Sequence, residues 1–174
     1  IVDSDKLYDI EAYGSYQQGR PTCGDIIIIT PRDGLFEREL IFTLIDNLER
    51  SGLISDHLNI PHRHDAPNNE NTSFSYMGVC LYKGMHRRLD IKYYPLEQYA
   101  YAMLYFTGSD YFNRSMRLFA RKKNYSLSDH SLTPVERTTG MKQVWEGRNI
   151  VCYTEKDIFE FLGLDYMKPE DRDV

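Results

Sequence analysis

Residues 104–117 read LYFTGSDYFNRSMR, and the break inside this stretch divides the chain. Leu96 to Leu104 has helical character, Thr107-Gly108-Ser109-Asp110 interrupts it, and the same residues are placed to cap a second helix. In that second helix, expected over 110–124, Phe112, Met116, Phe119 and Ala120 share one face, while Asn113, Arg117 and Arg121 line another. One face is suited to packing and the other is free to bind. The spacing therefore predicts two lobes, residues 1–107 and residues 108–174.

Upstream of the break, Ile10 to Tyr13 reads as a short strand ending at Gly14-Ser15, and Ile26 to Ile29 is a β-branched run suited to a buried strand. The two are expected to pair. Phe36, Leu40, Ile41, Leu44, Ile45 and Leu48 then recur at helical spacing until Gly52. Asn59 to Ser73 carries Pro61, Pro67, Asn68, Asn69 and Asn71 and reads as an exposed loop. Strands are expected at Phe74 to Leu81 and Leu89 to Tyr93, around a Lys83-Gly84 turn. Downstream, short strands occupy Tyr125 to Cys152. Thr154-Glu155-Lys156-Asp157 has the capping-box pattern of a last helix, which Gly163 ends. The fold class is α+β: a sheet with covering helices, then a smaller α+β lobe.

A chain of 174 residues with 41% hydrophobic content can bury a sizeable core. Cys23, Cys80 and Cys152 are odd in number and form no CxxC pair, which argues against a disulfide framework and a cysteine zinc site. No run approaches the roughly 18 apolar residues of a membrane span. An intracellular, soluble protein is expected. Ile1 rather than Met at the start leads us to expect a longer protein upstream. A net charge of −5 does not announce a nucleic-acid binder, but the charge is segregated. Arg114, Arg117, Arg121, Lys122 and Lys123 lie together without an acidic residue, while carboxylates crowd Glu155 to Asp173. His57, His62, His64 and His86 have no ligand spacing and read as solvated-loop residues rather than a metal cluster.

Gly14-Ser15 stands at a strand end, ten residues before Asp25 on the next strand. Such an arrangement can bring backbone N–H groups and a hydroxyl against a phosphate, although a simple turn reads the same way. Arg87-Arg88-Leu89-Asp90 puts a second carboxylate on a strand expected to neighbour that of Asp25. Two carboxylates on adjacent strands could seat Mg²⁺, and a strand-end aspartate paired with arginine fits equally.

Taken in order, GSYQQGRPTCGDI, HRRLDI, LYFTGSDYFNRSMR and TEKDIFEFLGLDYMKPEDRD resemble the family X DNA polymerases over nearly the whole chain from Tyr13 onward. The resemblance implies a nucleotidyltransferase-type palm followed by a thumb lobe, Mg²⁺ or Mn²⁺ as cofactor, and deoxynucleoside triphosphate with primer-template or gapped DNA as partners. Gly14 and Ser15 match the motif that holds the incoming triphosphate. Asp25 and Asp90 match two of the three metal-binding aspartates, and Arg88 matches an arginine close to the primer end. Tyr105 and Phe106 match the wall beside the deoxyribose, and Asp110 and Asn113 match residues at the nucleotide base. Gly108-Ser109 matches a cis peptide. Arg114 and Arg117 match template contacts, Arg121 extends their row, and Asp129-His130 resembles an acidic-plus-ring pair that supports closure, placing His130 on the DNA side. Tyr105-Phe106 stands where the template-independent members resemble Gly-Trp, which implies template-directed synthesis in gap-filling repair or end joining. A lyase or tethering domain, and contacts with repair factors, would lie upstream of Ile1.

The chain departs from the pattern twice. The family has Asp-x-Asp on the second strand, because alternation puts both carboxylates on one face. Here Asp25 is followed by Ile26 to Ile29, one residue short, so the second aspartate is missing and Ile27 takes its place by spacing. Gln17-Gln18 replaces a basic pair, which leaves Arg20 to supply charge at the triphosphate. Two explanations compete: a catalytically silent DNA-end-binding homologue, or a sequence from which one residue between Asp25 and Thr30 has been lost, the second favoured because a true deletion would turn the rest of the strand to the wrong face.

Overall fold

The computed structural model describes residues 8–13, 25–31, 38–60, 73–137, 143–145 and 147–172. They divide into two compact units, one running through Leu96 and the other from Glu97 onward. The sequence reading drew its boundary eleven residues later, after Thr107. The intervening helix joins the second unit because Ala100, Tyr101 and Leu104 are buried in that unit's core.

The first unit contains β1 (Tyr8–Tyr13), β2 (Asp25–Pro31), α1 (Arg38–Arg50), β3 (Ile54–Asn59), β4 (Phe74–Tyr82) and β5 (Met85–Tyr93). The strands form one sheet in the order β1-β2-β5-β4-β3. All neighbours are antiparallel except β2 and β5, which run parallel. Period-two alternation builds the packed face: Phe74, Tyr76 and Cys80 on β4 and Leu89, Ile91 and Tyr93 on β5 are buried together with Ile29 of β2. Ile41, Phe42 and Ile45 of α1 complete this core, with the Phe42 ring edge-on to Phe74 at 5.2 Å between centroids.

Strand β3 was not expected from the sequence, because only Ile54 of its six residues is buried and no alternation shows. Its pairing with β4 is interrupted by two register shifts. Across that pair Gly78 opposes His57, whose Nδ1 lies 2.9 Å from the Tyr76 hydroxyl and whose Nε2 lies 3.3 Å from Glu49 Oε1. A side chain at Gly78 would collide with the Tyr76 phenol at 2.2 Å, so glycine is what lets the strands close over that ring.

The second unit contains α2 (Leu96–Thr107), α3 (Asp110–Lys122), β6 (Tyr125–Leu127), β7 (Leu132–Arg137), β8 (Gln143–Trp145) and α4 (Glu155–Leu162). The three strands form an antiparallel sheet in chain order. Phe112, Met116 and Ala120 of α3 and Ile158, Phe159 and Leu162 of α4 share a core with α2. Helix α4 has the capping box its sequence announces. Thr154 accepts from the Asp157 N–H, the Asp157 carboxylate accepts from the Thr154 N–H at 2.9 Å, and Gly163 closes the helix at φ 70°.

The unit is closed by Arg172, whose side chain is fully buried. Its guanidinium donates to Glu155 Oε1 at 2.5 Å, to the Thr107 hydroxyl, and to the Met167 carbonyl at 2.7 and 3.0 Å. The rings of Phe112, Phe159 and Tyr166 surround it at 5.4 to 5.7 Å. The Arg172 carbonyl accepts from the Ser109 N–H at 3.4 Å, so one residue ties the chain's last turn to the α2–α3 junction and to the start of α4.

Two outcomes follow from this packing. Arg172→Ala leaves Glu155 buried without its cation and should destabilise the chain by about 3–5 kcal/mol in urea unfolding. Arg172→Met combined with Glu155→Leu removes both charges and should recover much of that loss. The hydrogen bonds from the Thr154 backbone and hydroxyl hold the Asp157 carboxyl below its ordinary value. The stabilisation is therefore complete above the unfolded carboxylate value and lost as pH falls through the lower folded one. Wild type should lose helicity in α4 on that acid limb, and Asp157→Asn should lack the α4-specific part of the pH dependence in an amide-resolved titration.

Candidate functional site

The sheet of the first unit places one strand against another in a register that decides which residues meet. In the parallel pair, Asp25 opposes Leu89, Ile26 opposes Asp90, Ile27 opposes Ile91 and Ile29 opposes Tyr93. The pairing is locked beyond its end: the Tyr94 N–H donates to Ile29 O at 3.0 Å, and the fully buried Thr30 hydroxyl donates to Tyr94 O at 2.9 Å. The expected neighbourhood of the two aspartate-bearing strands is present. In this register position 25 shares the parity of Leu89, Ile91 and Tyr93, and the residue opposite Asp90 is Ile26.

Asp90 is 7% exposed and lies on the face opposite the core residues of β5. Arg88, two residues earlier and so on the same face, places Nη2 3.1 Å from Asp90 Oδ2. Asp90 Oδ1 is buried and has no hydrogen-bond partner among the described residues. A carboxylate oxygen without a donor is costly to bury and suits a cation ligand, so Asp90 fits a divalent metal. Among the described residues no three acidic, histidine or cysteine side chains gather into a metal cluster. Gly14, Ser15 and Arg20 lie outside the described residues, and Asp25 is described by its backbone alone.

In the second unit the α2–α3 junction gathers several of the expected residues. Asn113 Nδ2 donates to Tyr105 O at 2.8 Å and reaches Gly108 O at 3.4 Å, which ties the first turn of α3 to the last turn of α2. Gly108 has no room for a side chain, since a Cβ would meet Phe112 at 2.3 Å. Tyr105 and Phe106 stand edge to face with centroids 5.0 Å apart. The Arg117 guanidinium lies 5.0 Å from the Tyr105 ring centroid, a cation–π contact one turn beyond Asn113. Tyr105, Asn113, Met116 and Arg117 line a small cleft with Tyr101 and Leu104. Tyr101 donates to Ile150 O at 2.5 Å, and burial pushes its phenol pKa far up, so it acts as a packed donor rather than an acid.

The Gly108-Ser109 bond, expected cis, is trans, as are all peptide bonds among the described residues. Ser109 in this conformation is an efficient N-cap: its hydroxyl accepts from the Phe112 N–H at 3.1 Å. Asp110 follows in the first turn, exposed, where its charge complements the helix dipole. Arg114, Arg117 and Arg121 all lie on the exposed side of α3. His130 Nε2 is 3.4 Å from Asp129 Oδ2 and Nδ1 is 3.0 Å from Gln98 Oε1, so this pair braces the loop after β6 against α2. Sequence reasoning missed Arg172, Glu155 and Thr107, which support the junction from below. Their signal was available only as isolated polar residues far apart in the chain.

Two family models match the chain: the DNA polymerase beta palm over residues 1–96 and the DNA polymerase beta thumb over residues 102–173. DNA polymerase lambda of Rattus norvegicus is 41% identical over 168 residues, covering 93% of this chain and 28% of that protein. DNA polymerase lambda of Arabidopsis thaliana is 32% identical over 165 residues, with 92% and 31% covered. DNA nucleotidylexotransferase of Xenopus laevis is 29% identical over 177 residues, with 86% and 33% covered. The chain thus spans a third or less of the length of the curated relatives it matches. With palm and thumb matched in order along nearly its whole length, the chain belongs to the family X DNA polymerases.

Proposed function

We propose that this palm and thumb add deoxynucleotides to the 3′ end of a DNA primer on a template, in gap filling or end joining. The observation that carries the reading is the buried Asp90 carboxylate, with Oδ1 unpartnered and Arg88 on Oδ2. Asp90 would hold the divalent ion; Asp25 is assigned to the same ion by the family resemblance alone, since the register sets position 25 in phase with Leu89 on the other face of the sheet. Mg²⁺ or Mn²⁺, when bound, supplies the charge that acidifies the primer hydroxyl and neutralises the triphosphate. Arg88 orients the Asp90 carboxylate and adds positive charge at the primer end. Gly14, Ser15 and Arg20 are assigned to the triphosphate. Tyr105 and Phe106 bound the sugar, Asp110 and Asn113 sit at the base, and Arg114, Arg117, Arg121 and His130 are assigned to DNA. Among the described residues no helix is long and apolar enough to cross a membrane.

The strand register favours a second reading, a DNA-end binder without chemistry, because Ile26 stands opposite Asp90 where a second carboxylate would serve. Primer extension on gapped DNA separates the two. Under the first reading, incorporation with Mg²⁺ or Mn²⁺ is lost on chelation, and Asp90→Asn lowers it on the order of 10²–10³-fold. DNA binding with no incorporation by a chain of confirmed sequence supports the second.

An insertion tests the register itself. With the Thr30–Tyr94 lock retained, an aspartate inserted between Ile26 and Ile27 falls opposite Asp90, and Asp25 moves opposite Arg88, onto the same face. Incorporation by this variant should exceed that of the parent chain. No gain with DNA binding intact would remove register as the limiting factor.

A further inference from the structure

The edge strand β3 buries only Ile54, and its ladder to β4 breaks at two register shifts. Little packing therefore holds its second half, and the side-chain tie there is His57. The imidazole stands edge-on to the fully buried Tyr76 ring at 5.8 Å between centroids. Its Nδ1 lies 2.9 Å from the phenol oxygen and its Nε2 3.3 Å from Glu49 Oε1. Among the described residues, Glu49 from α1 and Tyr76 from β4 are the titratable groups that meet the ring, and Asp56 is its neighbour on β3. The two contacts respond differently to a change of charge. A carboxylate only accepts, so Nε2–H donates to Glu49 whether the ring is neutral or charged. Burial, and then the Glu49 charge, push the Tyr76 phenol up, so it keeps its hydrogen and donates it to an unprotonated Nδ1. A charged ring has no unprotonated nitrogen. The phenol must then turn its hydrogen away, and among the described residues its one hydrogen-bond partner is His57. Protonation does add a charge pair with Glu49. That carboxylate is 57% exposed, however, and an exposed pair returns less than a buried unpaired hydroxyl costs.

We propose that His57 is a protonation-sensitive latch for β3: neutral, it bridges Tyr76 to Glu49 and holds the strand on the sheet; charged, it loosens the strand. Histidine changes charge between about pH 8 and pH 5, so the latch is closed at the upper end of that range and opens as pH falls through it. Opening frees the outer backbone edge of β4 at Met77 to Cys80, the part that pairs with β3.

Amide hydrogen exchange between about pH 5 and pH 8 tests the latch. It is read at residues 55–59 of β3 against residues 89–93 of β5 in the same chain, after correction for the intrinsic pH dependence of exchange. Protection of β3 should fall about 3- to 10-fold from the upper to the lower end, while that of β5 stays level. His57→Gln, whose amide accepts from Tyr76 and donates to Glu49 without titrating, should keep the protection and lose its pH dependence. Tyr76→Phe should lose the pH dependence as well, whereas Glu49→Gln should retain it. Nitrogen NMR of the His57 ring at the alkaline end should find its proton on Nε2. A proton on Nδ1 there, protection of β3 that rises toward acid, or an undiminished pH dependence in His57→Gln overturns the proposal.

Discussion

The parallel pairing of β2 with β5 is the constraint on which the arrangement around Asp90 depends. It is fixed at the Thr30 end, where a buried hydroxyl and a backbone amide bind across to Tyr94 and Ile29. Ile29 sits in the core beside Tyr93, so sliding the strand by one residue would turn a buried apolar side chain to the other face. The strand therefore keeps its phase from the core end. Toward the other end the same register sets Ile26 opposite Asp90 and position 25 opposite Leu89.

The second unit solves a different problem, holding the α2–α3 junction in one conformation. From one side Asn113 binds two backbone carbonyls of the turn. From the other, Arg172 reaches Thr107 with its side chain and Ser109 with its carbonyl. The residues assigned to nucleotide and template flank this junction, so their positions are set by a buried ion pair and one side-chain amide. A buried pair of this kind adds little net stability against an apolar replacement, yet removing one partner alone is costly.

Much of this was legible in the sequence where local patterns carry the information. The capping box and terminal glycine of α4, the packed and open faces of α3, and the pairing of the first two strands are all written in residues a few positions apart. The edge strand β3 was not legible, because a strand with one buried residue has no alternation to read. The strand register was not legible either: no local pattern says which residue of β2 stands opposite Asp90, and the lock at Thr30 makes it Ile26. The Gly108-Ser109 bond is trans, the form that every non-proline peptide favours by several kcal/mol. The α2 assignment turned on side-chain burial across the unit rather than on the break after Thr107.

The clamp by Arg172 also has a bearing on how the chain is made. Its partner Thr107 lies 65 residues earlier, and its Glu155 partner 17 residues earlier. During synthesis from the N-terminus, the first unit holds all of its strands and its helix before the second begins, whereas the second cannot close until its final turn has been added. The nascent thumb must therefore wait with Glu155 uncompensated and three aromatic rings unfilled, a state prone to non-native association until translation supplies the missing guanidinium.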